Sequence, residues 1–538
     1  MVASGLSPPP VVEWRVRKPA LLSLPSVIMR DRRQVEVKQA YALPQSDEPL
    51  DYQLDVFIFL PRSMGMSAHN YPRDEFYNDS TTYLRLDAPG RTLAELADLS
   101  DARSPLSQVH TTLAQLMQPR APPTEPLAAL CQLHAHELSE AVISTCVFLA
   151  QKAHDGSFST AETYTAEVNR MLGDSERALV AIRQVRAEAD AFGGLVHPAV
   201  PRALAYAEEY ASAVLDEQVA RLAEAIKESQ ALRDGTGSAV KLLLTLERFA
   251  ADQSKLRLEA GYAVPWDEPR EYFTYRLGLL KKNLQQALYL NTRELRADNY
   301  LRNSAAMVAA GLAATWAFLA QVPMLQLGAV DLNTQLWLLA SAVGAYMLKD
   351  RIKEWTRDYL TRRLRLDDYN RVIFSDVLAR LGLKGLSGRA KEKVRFVKLD
   401  ELDEEIRDIR TLHRSVRGTG LELEEVLHYR RKLSLRAPEG TRFPEGFGVR
   451  EILRINTRHF TARLDDPLDN VSFFDAERGA FAREDLPKVY HANLVLRISA
   501  EHSPERWITR YRMVLTQDGL NRVEPVFTRR VEGKLPRD

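Results

Sequence analysis

Six arginines in the C-terminal third, Arg454, Arg463, Arg497, Arg510, Arg512 and Arg522, recur in strand-like stretches among apolar neighbours. A planar guanidinium presents a fork of donors that fits phosphate or carboxylate oxygens. Gathered on one sheet face, these side chains would form an anion-binding surface for a phospholipid headgroup, an acidic protein or nucleic acid. The plainer reading, which the pattern favours, is the solvent side of a half-exposed sheet laced by cross-strand ion pairs.

A second cluster, Cys131-Gln-Leu-His134-Ala-His136-Glu137 with Cys146 and His154 downstream, has the residue types of a metal site. On a helix Cys131 and His134 share a face, as do His134 and Glu137, while His136 points elsewhere. No second ligand pair completes a zinc-like spacing, so packing is the better account. Gly235-Thr-Gly237-Ser-Ala-Val-Lys241 and the glycines 382, 385 and 388 lack the spacing of a phosphate loop and read as helix stops. There is no G-x-S-x-G elbow, and Asp367-Asp368 and Asp465-Asp466 lie in charged-helix or turn settings. The sequence therefore singles out no catalytic residue, no metal ligand and no cofactor site. An anchored enzyme using the C-terminal arginines with His459 or His491 is held as the alternative to an interaction module.

The elements that would position these residues follow from composition and periodicity. The chain has 538 residues, with 73 Lys+Arg against 72 Asp+Glu for a net charge of +1. That near-balance argues against a polybasic nucleic-acid binder, so nucleic acid is not an expected partner. Two cysteines exclude a disulfide framework and fit a reducing compartment. A hydrophobic share of 45% with 27% charged residues is that of a folded protein.

No charge occurs from Asn303 to Val330, and after Asp331 a second uncharged run extends from Leu332 to Leu348. A bilayer core needs about 20 apolar helical residues, so spans at about 304–325 and 332–348 are expected, with the lipid bilayer as a partner. Arg293, Arg296 and Arg302 precede the first run and Lys349, Arg351, Lys353 and Arg357 follow the second, with no Lys or Arg between. The positive-inside rule then predicts a two-pass inner-membrane protein with both termini cytoplasmic. The rival reading is a pair of long core helices, and the alanine content of the first run keeps it open. Small residues recur at Ala306, Ala310 and Ala314, at Ala309, Ala313 and Ala317, and at Ala340 and Gly344. Such rows allow close transmembrane packing and predict a homo-oligomer; an oligomeric channel built from the hairpin is a third reading.

Residues 1–98 read as a β-rich domain, with strands at Val11–Arg17, Arg33–Leu43, Leu50–Leu60 and Thr81–Leu86. Helical periodicity takes over from about Thr92, where Thr92-Leu-Ala-Glu95 resembles a capping box, and residues 99–272 read as a helical bundle. Stalk helices are expected over 273–302 and 349–381, flanking the hairpin at 303–348, and a C-terminal α+β domain over 382–538. The part after Leu348 is mildly basic and the part before it mildly acidic. The fold class expected is thus an α+β multidomain membrane protein. Its function would be that of a membrane-tethered interaction, scaffold or sensing module with a cytoplasmic protein partner. The phrase LDYQLDVFIFLPRSMGM, Leu50–Met66, stands out as a motif without an assigned role.

Overall fold

The computed structural model describes residues 22–44, 48–119, 122–233, 237–266, 269–295, 297–325, 332–363, 369–374, 386–411, 424–437, 447–501 and 503–532. The expected strand Val11–Arg17 and the glycines 235, 382 and 385 lie outside these residues. The N-terminal segment forms β1 (Ser26–Asp31), β2 (Gln34–Ala42), β3 (Leu50–Pro61), the short helix α1 (Arg73–Asp79) and β4 (Ser80–Asp87). Helices then follow: α2 (Leu93–Ala97), α3 (Pro105–Ala114), α4 (Leu127–Asp155), α5 (Ala161–Phe192), α6 (Ala199–Glu228), α7 (Gln230–Arg233), α8 (Ser238–Glu259) and α9 (Glu271–Gln286). The strand β5 (Asn291–Leu295), the helices α10 (Ala297–Leu325) and α11 (Leu332–Arg363) and the strand β6 (Tyr369–Phe374) come next. The C-terminal part holds β7 (Ser387–Val397), α12 (Glu404–Thr411), β8 (Glu424–Arg436), β9 (Gly448–Asn456) and α13 (Arg458–Thr461). It ends with β10 (Leu468–Asp475), β11 (Ala480–Pro487), β12 (Tyr490–Ala500), β13 (Glu505–Thr516) and β14 (Gly519–Glu532).

The strands make an eight-stranded sheet in the order β14-β13-β12-β3-β8-β7-β6-β5, a four-stranded sheet β1-β2-β9-β4, and the separate hairpin β10-β11. N-terminal β3 is flanked by C-terminal β12 and β8, and C-terminal β9 by N-terminal β2 and β4. The two β-rich regions at opposite ends of the sequence are therefore one body. Every neighbouring pair is antiparallel.

The two larger sheets share one core, in which Val35, Val37 and Tyr41 of β2 meet Leu54, Val56 and Ile58 of β3 and Tyr429 and Leu433 of β8. Successive strand residues point to opposite faces, so Phe57 and Phe59 of β3 face outward. There they are covered by Leu402, Ile406 and Ile409 at α12. Burial on both sides explains why Val56–Leu60 is an unbroken apolar run rather than an alternating one.

The turn between β13 and β14 is fixed by Gly519, at φ +129°, where a Cβ would stand 2.2 Å from the Arg32 carbonyl oxygen. That oxygen accepts the Leu520 amide at 2.6 Å, which pins the turn to the β1–β2 connection. No residue with a side chain fits this approach.

The bundle has its own core, built by α2 to α8. Thr92 caps α2 as expected, its hydroxyl accepting the Glu95 amide at 3.3 Å while Glu95 accepts the Thr92 amide at 2.8 Å. The segment after α9 returns to the four-stranded sheet: Leu86 donates to Leu288 at 2.7 Å and Leu290 to Leu84 at 2.9 Å.

Among the described residues no helix is long and apolar enough to cross a membrane. This overturns the expected two-pass transmembrane hairpin, the inner-membrane placement and the membrane part of the fold class; the α+β multidomain character stands. The physical reason is composition. Seven of the 17 residues from Asn303 to Leu319 are alanine, and Asn303, Ser304, Gly311 and Thr315 dilute the stretch further. The uncharged part of α11 stops after 17 residues at Lys349, short of the roughly 20 that a bilayer core needs.

The two helices do pack on each other, and Ala305, Ala309 and Ala313, on one row of α10, are buried. Where continuous stalk helices were expected, the chain changes to strand. Asn291–Leu295 pairs with Asn370–Phe374, and Thr292, Val372 and Ile373 supply the β-branched residues that favour it. The hairpin α10–α11 is thus an insertion between the last two strands of the eight-stranded sheet.

Candidate interaction surfaces

The outer face of the eight-stranded sheet is divided in two. One end is covered by α12, whose apolar side meets Phe57, Phe59, Val426, Val495 and Ile508. Around this contact the polar groups are matched. Asp403, just before α12, accepts from Arg497; Glu405 accepts from Arg506 at 2.9 Å; Arg510 donates to the Ile409 carbonyl at 3.0 Å; and Arg410 donates to Glu424 at 3.0 Å. An acidic amphipathic segment has docked on a basic sheet face.

At the border of the covered half lies Asp55, which is buried. Its carboxylate is 2.8 Å from His428 Nε2, accepts from Arg430 Nε at 2.8 Å, and accepts from Arg497 at 3.2 and 3.3 Å. His428 stacks on Phe57 with ring centroids 4.2 Å apart. Burial alone would raise the Asp55 pKa, but the hydrogen bond to His428 and the charges of Arg497 and Arg430 hold it far below the usual carboxylate range.

The other end of the face lies beyond the α12 contact. Arg389, Lys391, Lys393 and Arg395 occupy alternate positions of β7, and across from them on β8 stand Ser434, Lys432, Arg430 and His428. Arg389, Arg395 and Lys432 are exposed, and Lys391, Lys393 and Arg430 are half-buried. The β3 residues in line with them are Asp51, Gln53 and Asp55, the last already engaged.

On the inner face, between the two sheets, Arg431 of β8 is 1% exposed. It pairs with Glu392 of β7 and Glu451 of β9, and Glu451 also accepts from the Tyr41 hydroxyl at 2.6 Å. Arg371 of β6 approaches Glu392 at 3.5 Å. Burial raises the Glu451 pKa, and Arg431 and Tyr41 pull it back only in part. The triad joins strands of both sheets across their shared core.

Of the six arginines singled out in the sequence, four share the outer face. Arg497 and Arg510 are buried beside α12, while Arg512 and Arg522 meet Glu524 at 3.6 and 2.5 Å. Arg454 is on the four-stranded sheet, 2.7 Å from Glu36 and over the Tyr83 ring at 4.8 Å. Arg463 follows α13 and reaches the Gly65 carbonyl at 3.4 Å. Internal partners engage these guanidinium groups, and they form no single surface. His459 is 2.6 Å from Asp79, and His491 lies on β12, opposite Val514.

The Cys131–Glu137 cluster is on α4 at the junction of bundle and sheet. Glu137 accepts from Arg91 at 2.6 Å, and burial pushes its pKa up to about 7 against the pull of that guanidinium. His134 is buried, and neither ring nitrogen has a hydrogen-bond partner among the described residues. Burial, with the Arg91 charge adding, pushes its pKa down to about 3. His136 is pushed down to about 4, first by burial and then by Arg85 and Arg450, with Glu140 and Asp87 pulling back.

A base whose pKa falls on folding binds its proton more readily in the unfolded chain, so its penalty grows as pH drops from 6.5 toward the folded value. At pH 5 the penalty from His134 is about 2 kcal/mol. Replacing His134→Leu should therefore stabilise the protein by about 1–3 kcal/mol near neutral pH, by removing an unsatisfied buried group. That advantage should widen by about 2 kcal/mol at pH 5, as read from urea unfolding at the two pH values.

The hairpin is the third feature. Met307, Leu312, Phe318, Trp337, Val343 and Met347 are among fifteen large apolar side chains exposed on α10 and α11 among the described residues. Of the small residues expected to pack, Ala310, Ala314, Ala340 and Gly344 are exposed and Ala306 is half-buried. A shallow groove between the helices is lined by Ala310, Ala314, Ala317, Phe318, Lys349 and Lys353.

Sequence reasoning passed over the two charge networks and the cationic half of the sheet face beyond α12. A signal existed for each. Arg431 interrupts the inward series Leu427, Tyr429, Leu433, Leu435, and Ser387–Val397 carries a cation at every second position from Arg389 to Arg395. Comparison with known proteins gave no match, whether to a family model, a curated protein or a solved structure.

Proposed function

We propose that the protein is an interaction module that self-associates through the α10–α11 hairpin, its body serving as a scaffold that presents further binding faces. The observation that carries this reading is the apolar coat of the hairpin. A folded monomer seldom leaves a contiguous patch of more than a few hundred Å² of apolar surface open to water. Fifteen large side chains, each contributing on the order of 100 Å², amount to on the order of 1,000 Å². A standard interface needs about 800 Å² per partner.

A second copy is a suitable occupant because the surface carries its own complement. Exposed small residues such as Ala310, Ala314 and Gly344 alternate with large ones such as Met307, Leu312 and Trp337. Bulky side chains of one copy can seat over the small ones of the next, as in other helix–helix contacts.

Sedimentation velocity on the full chain should give a dimer or a higher oligomer. The double variant Leu312→Glu/Trp337→Glu should be monomeric with unchanged circular dichroism, because both side chains are exposed and their replacement leaves no cavity. A wild-type chain that stays monomeric at micromolar concentration would refute the reading.

A further inference from the structure

We infer that the open edge of β10, in the separate β10–β11 hairpin, takes up an extended basic segment of a partner protein as a third strand. The inference stands apart from self-association, since it concerns a different hairpin from α10–α11.

Three observations lead to it. The first is an unguarded edge. β10 and β11 form a two-stranded sheet of their own, paired without a register shift over the eight residues of each. No main-chain hydrogen bond from Leu468–Asp475 reaches a described residue outside the arm and its turn. Natural sheets protect such edges with charged side chains, Pro or a bulge. β14, at the edge of the eight-stranded sheet, has Pro525 and two register shifts against its neighbour, and β1, at the edge of the four-stranded sheet, has one. On β11 the run Arg483, Glu484, Asp485 and the later Pro487 serve the same end. β10 has no Lys, Arg, Pro or register shift, and Asn470 to Phe474 is uncharged.

The second observation is incomplete burial. A two-stranded sheet is marginally stable by itself in water, and a third strand or a covering element is the usual remedy. Here Phe473, Phe474, Leu468 and Leu486 are exposed, and Phe481 is 88% exposed. Phe474 and Phe481 meet edge to face at 5.4 Å near the turn, and no further ring of the described residues joins them. A strand added along β10 extends the ladder through main-chain hydrogen bonds and sets its own side chains beside Val471, Phe473 and Phe474.

The third observation selects the partner. Residues 468–487 hold five acids, Asp469, Asp475, Glu477, Glu484 and Asp485, against Arg478 and Arg483, for a net charge of −3. Alternate residues share a face, so Asp469, Val471 and Phe473 stand in one row, with Glu484 and Leu486 of β11 beside them. Asp475, next in that row, already accepts from Arg478 at 3.3 Å and from two amides of the turn. The strand that fits this row sets a cation against Asp469 and apolar side chains against Val471 and Phe473, the alternating pattern Lys/Arg-x-apolar-x-apolar. A second copy of β10 does not supply it. Antiparallel pairing about Ser472 sets Asp469 against Asp475, and pairing about Val471 sets Asp469 against Phe473.

The test uses the full chain and the fluorescent peptide KTVTVTK, whose palindromic order serves either strand direction, with ETVTVTE as the control, both followed by anisotropy. The wild-type protein should bind the lysine peptide at least tenfold more tightly than the glutamate peptide, and less tightly as ionic strength rises. Amide hydrogen exchange over Leu468–Asp475 should slow when the lysine peptide is added. Val471→Lys, which places a guarding charge on the edge, should weaken binding at least tenfold with unchanged circular dichroism. Asp469→Lys, at an exposed position, should erase or invert the preference between the two peptides while leaving the arm intact. Unchanged exchange over β10, equal binding of the two peptides, or equal binding by wild-type and variant chains would each overturn the inference. So would a Leu312→Glu/Trp337→Glu chain that remains dimeric until Val471→Lys is added, because the edge would then belong to a second copy.

Discussion

Replacing Arg431→Leu is expected to destabilise the protein by about 3–5 kcal/mol, because it strips the counter-charge from two buried carboxylates. Glu392 and Glu451 both point at this guanidinium from neighbouring strands, and all three side chains are almost wholly buried. The Tyr41 hydroxyl satisfies one oxygen of Glu451, and Arg371 stands 3.5 Å from Glu392. Neither can replace a cation placed between two acids.

The pH dependence distinguishes this cause from a simple packing loss. The Glu451 pKa is already raised in the fold, and without Arg431 it rises further. An acid whose pKa is raised on folding loses its penalty as pH falls and the carboxyl takes up a proton. The deficit of Arg431→Leu should therefore shrink on acidification from pH 7.5 to 5.5, measured by urea unfolding of variant and wild type side by side. A deficit that stays flat over this range would mean the loss is one of volume. The triple change Arg431→Leu/Glu392→Leu/Glu451→Leu, which removes both acids as well, should recover much of the stability, since a buried ion triad is often no better than well-packed apolar residues.

The second large effect is expected at Asp55. Asp55→Asn removes the charge that His428, Arg430 and Arg497 share, and should cost about 3–5 kcal/mol. The sign of its pH dependence is opposite. Asp55 has a depressed pKa, so its contribution is fully present above the ordinary aspartate range and is lost only as pH falls below it. Between pH 5.5 and 7.5 the Asp55→Asn deficit should stay constant, while that of Arg431→Leu changes. Loss of the Asp55 charge should also loosen α12, since Arg497 links Asp55 to Asp403. Faster amide hydrogen exchange over Glu404–Thr411 would report this, and unchanged exchange there would show that α12 is held by its apolar contacts alone.

The sequence was legible where structure is local. Helical periodicity marked the long helices of the bundle, the Thr92–Glu95 box marked the start of α2, and alternation marked β2, β3, β4, β7, β8, β9, β12 and β13. It did not mark β10, β11 or β14, and it pointed to a strand at His459–Leu464 where α13 lies. Partner choice was not legible, because local alternation does not encode which strand lies beside which. β3 pairs with β8 at positions 363 to 385 residues away. The short strand at Asn291–Leu295 escaped because five residues between two helices carry too little pattern, and its stability comes from its pairing with β6. The hairpin misled for a different reason. Absence of charge was read as greasiness, whereas alanine supplies neutrality with little apolar area.

The candidate site was partly legible. Arginine enrichment of the C-terminal strands was visible, but whether a guanidinium is engaged depends on carboxylates that approach from elsewhere in the fold, as Asp403 does for Arg497 and Glu36 for Arg454. The motif Leu50–Met66 contains Asp55, and this buried carboxylate on the outer face, in line with Phe57 and Phe59, acquires meaning only beside β8 and β12.

The interleaving of the two ends of the chain also governs how it can be born. During synthesis at about 5–20 residues per second, β3 emerges roughly 20–70 seconds before the strand that pairs with it. For that interval its Val56–Leu60 run has neither of its neighbours, while the intervening helices can already collapse on their own core. A ribosome that stalls before Glu424 therefore releases a finished bundle tied to an orphaned, sticky ribbon, and quality control of this protein must reckon with that half-made product.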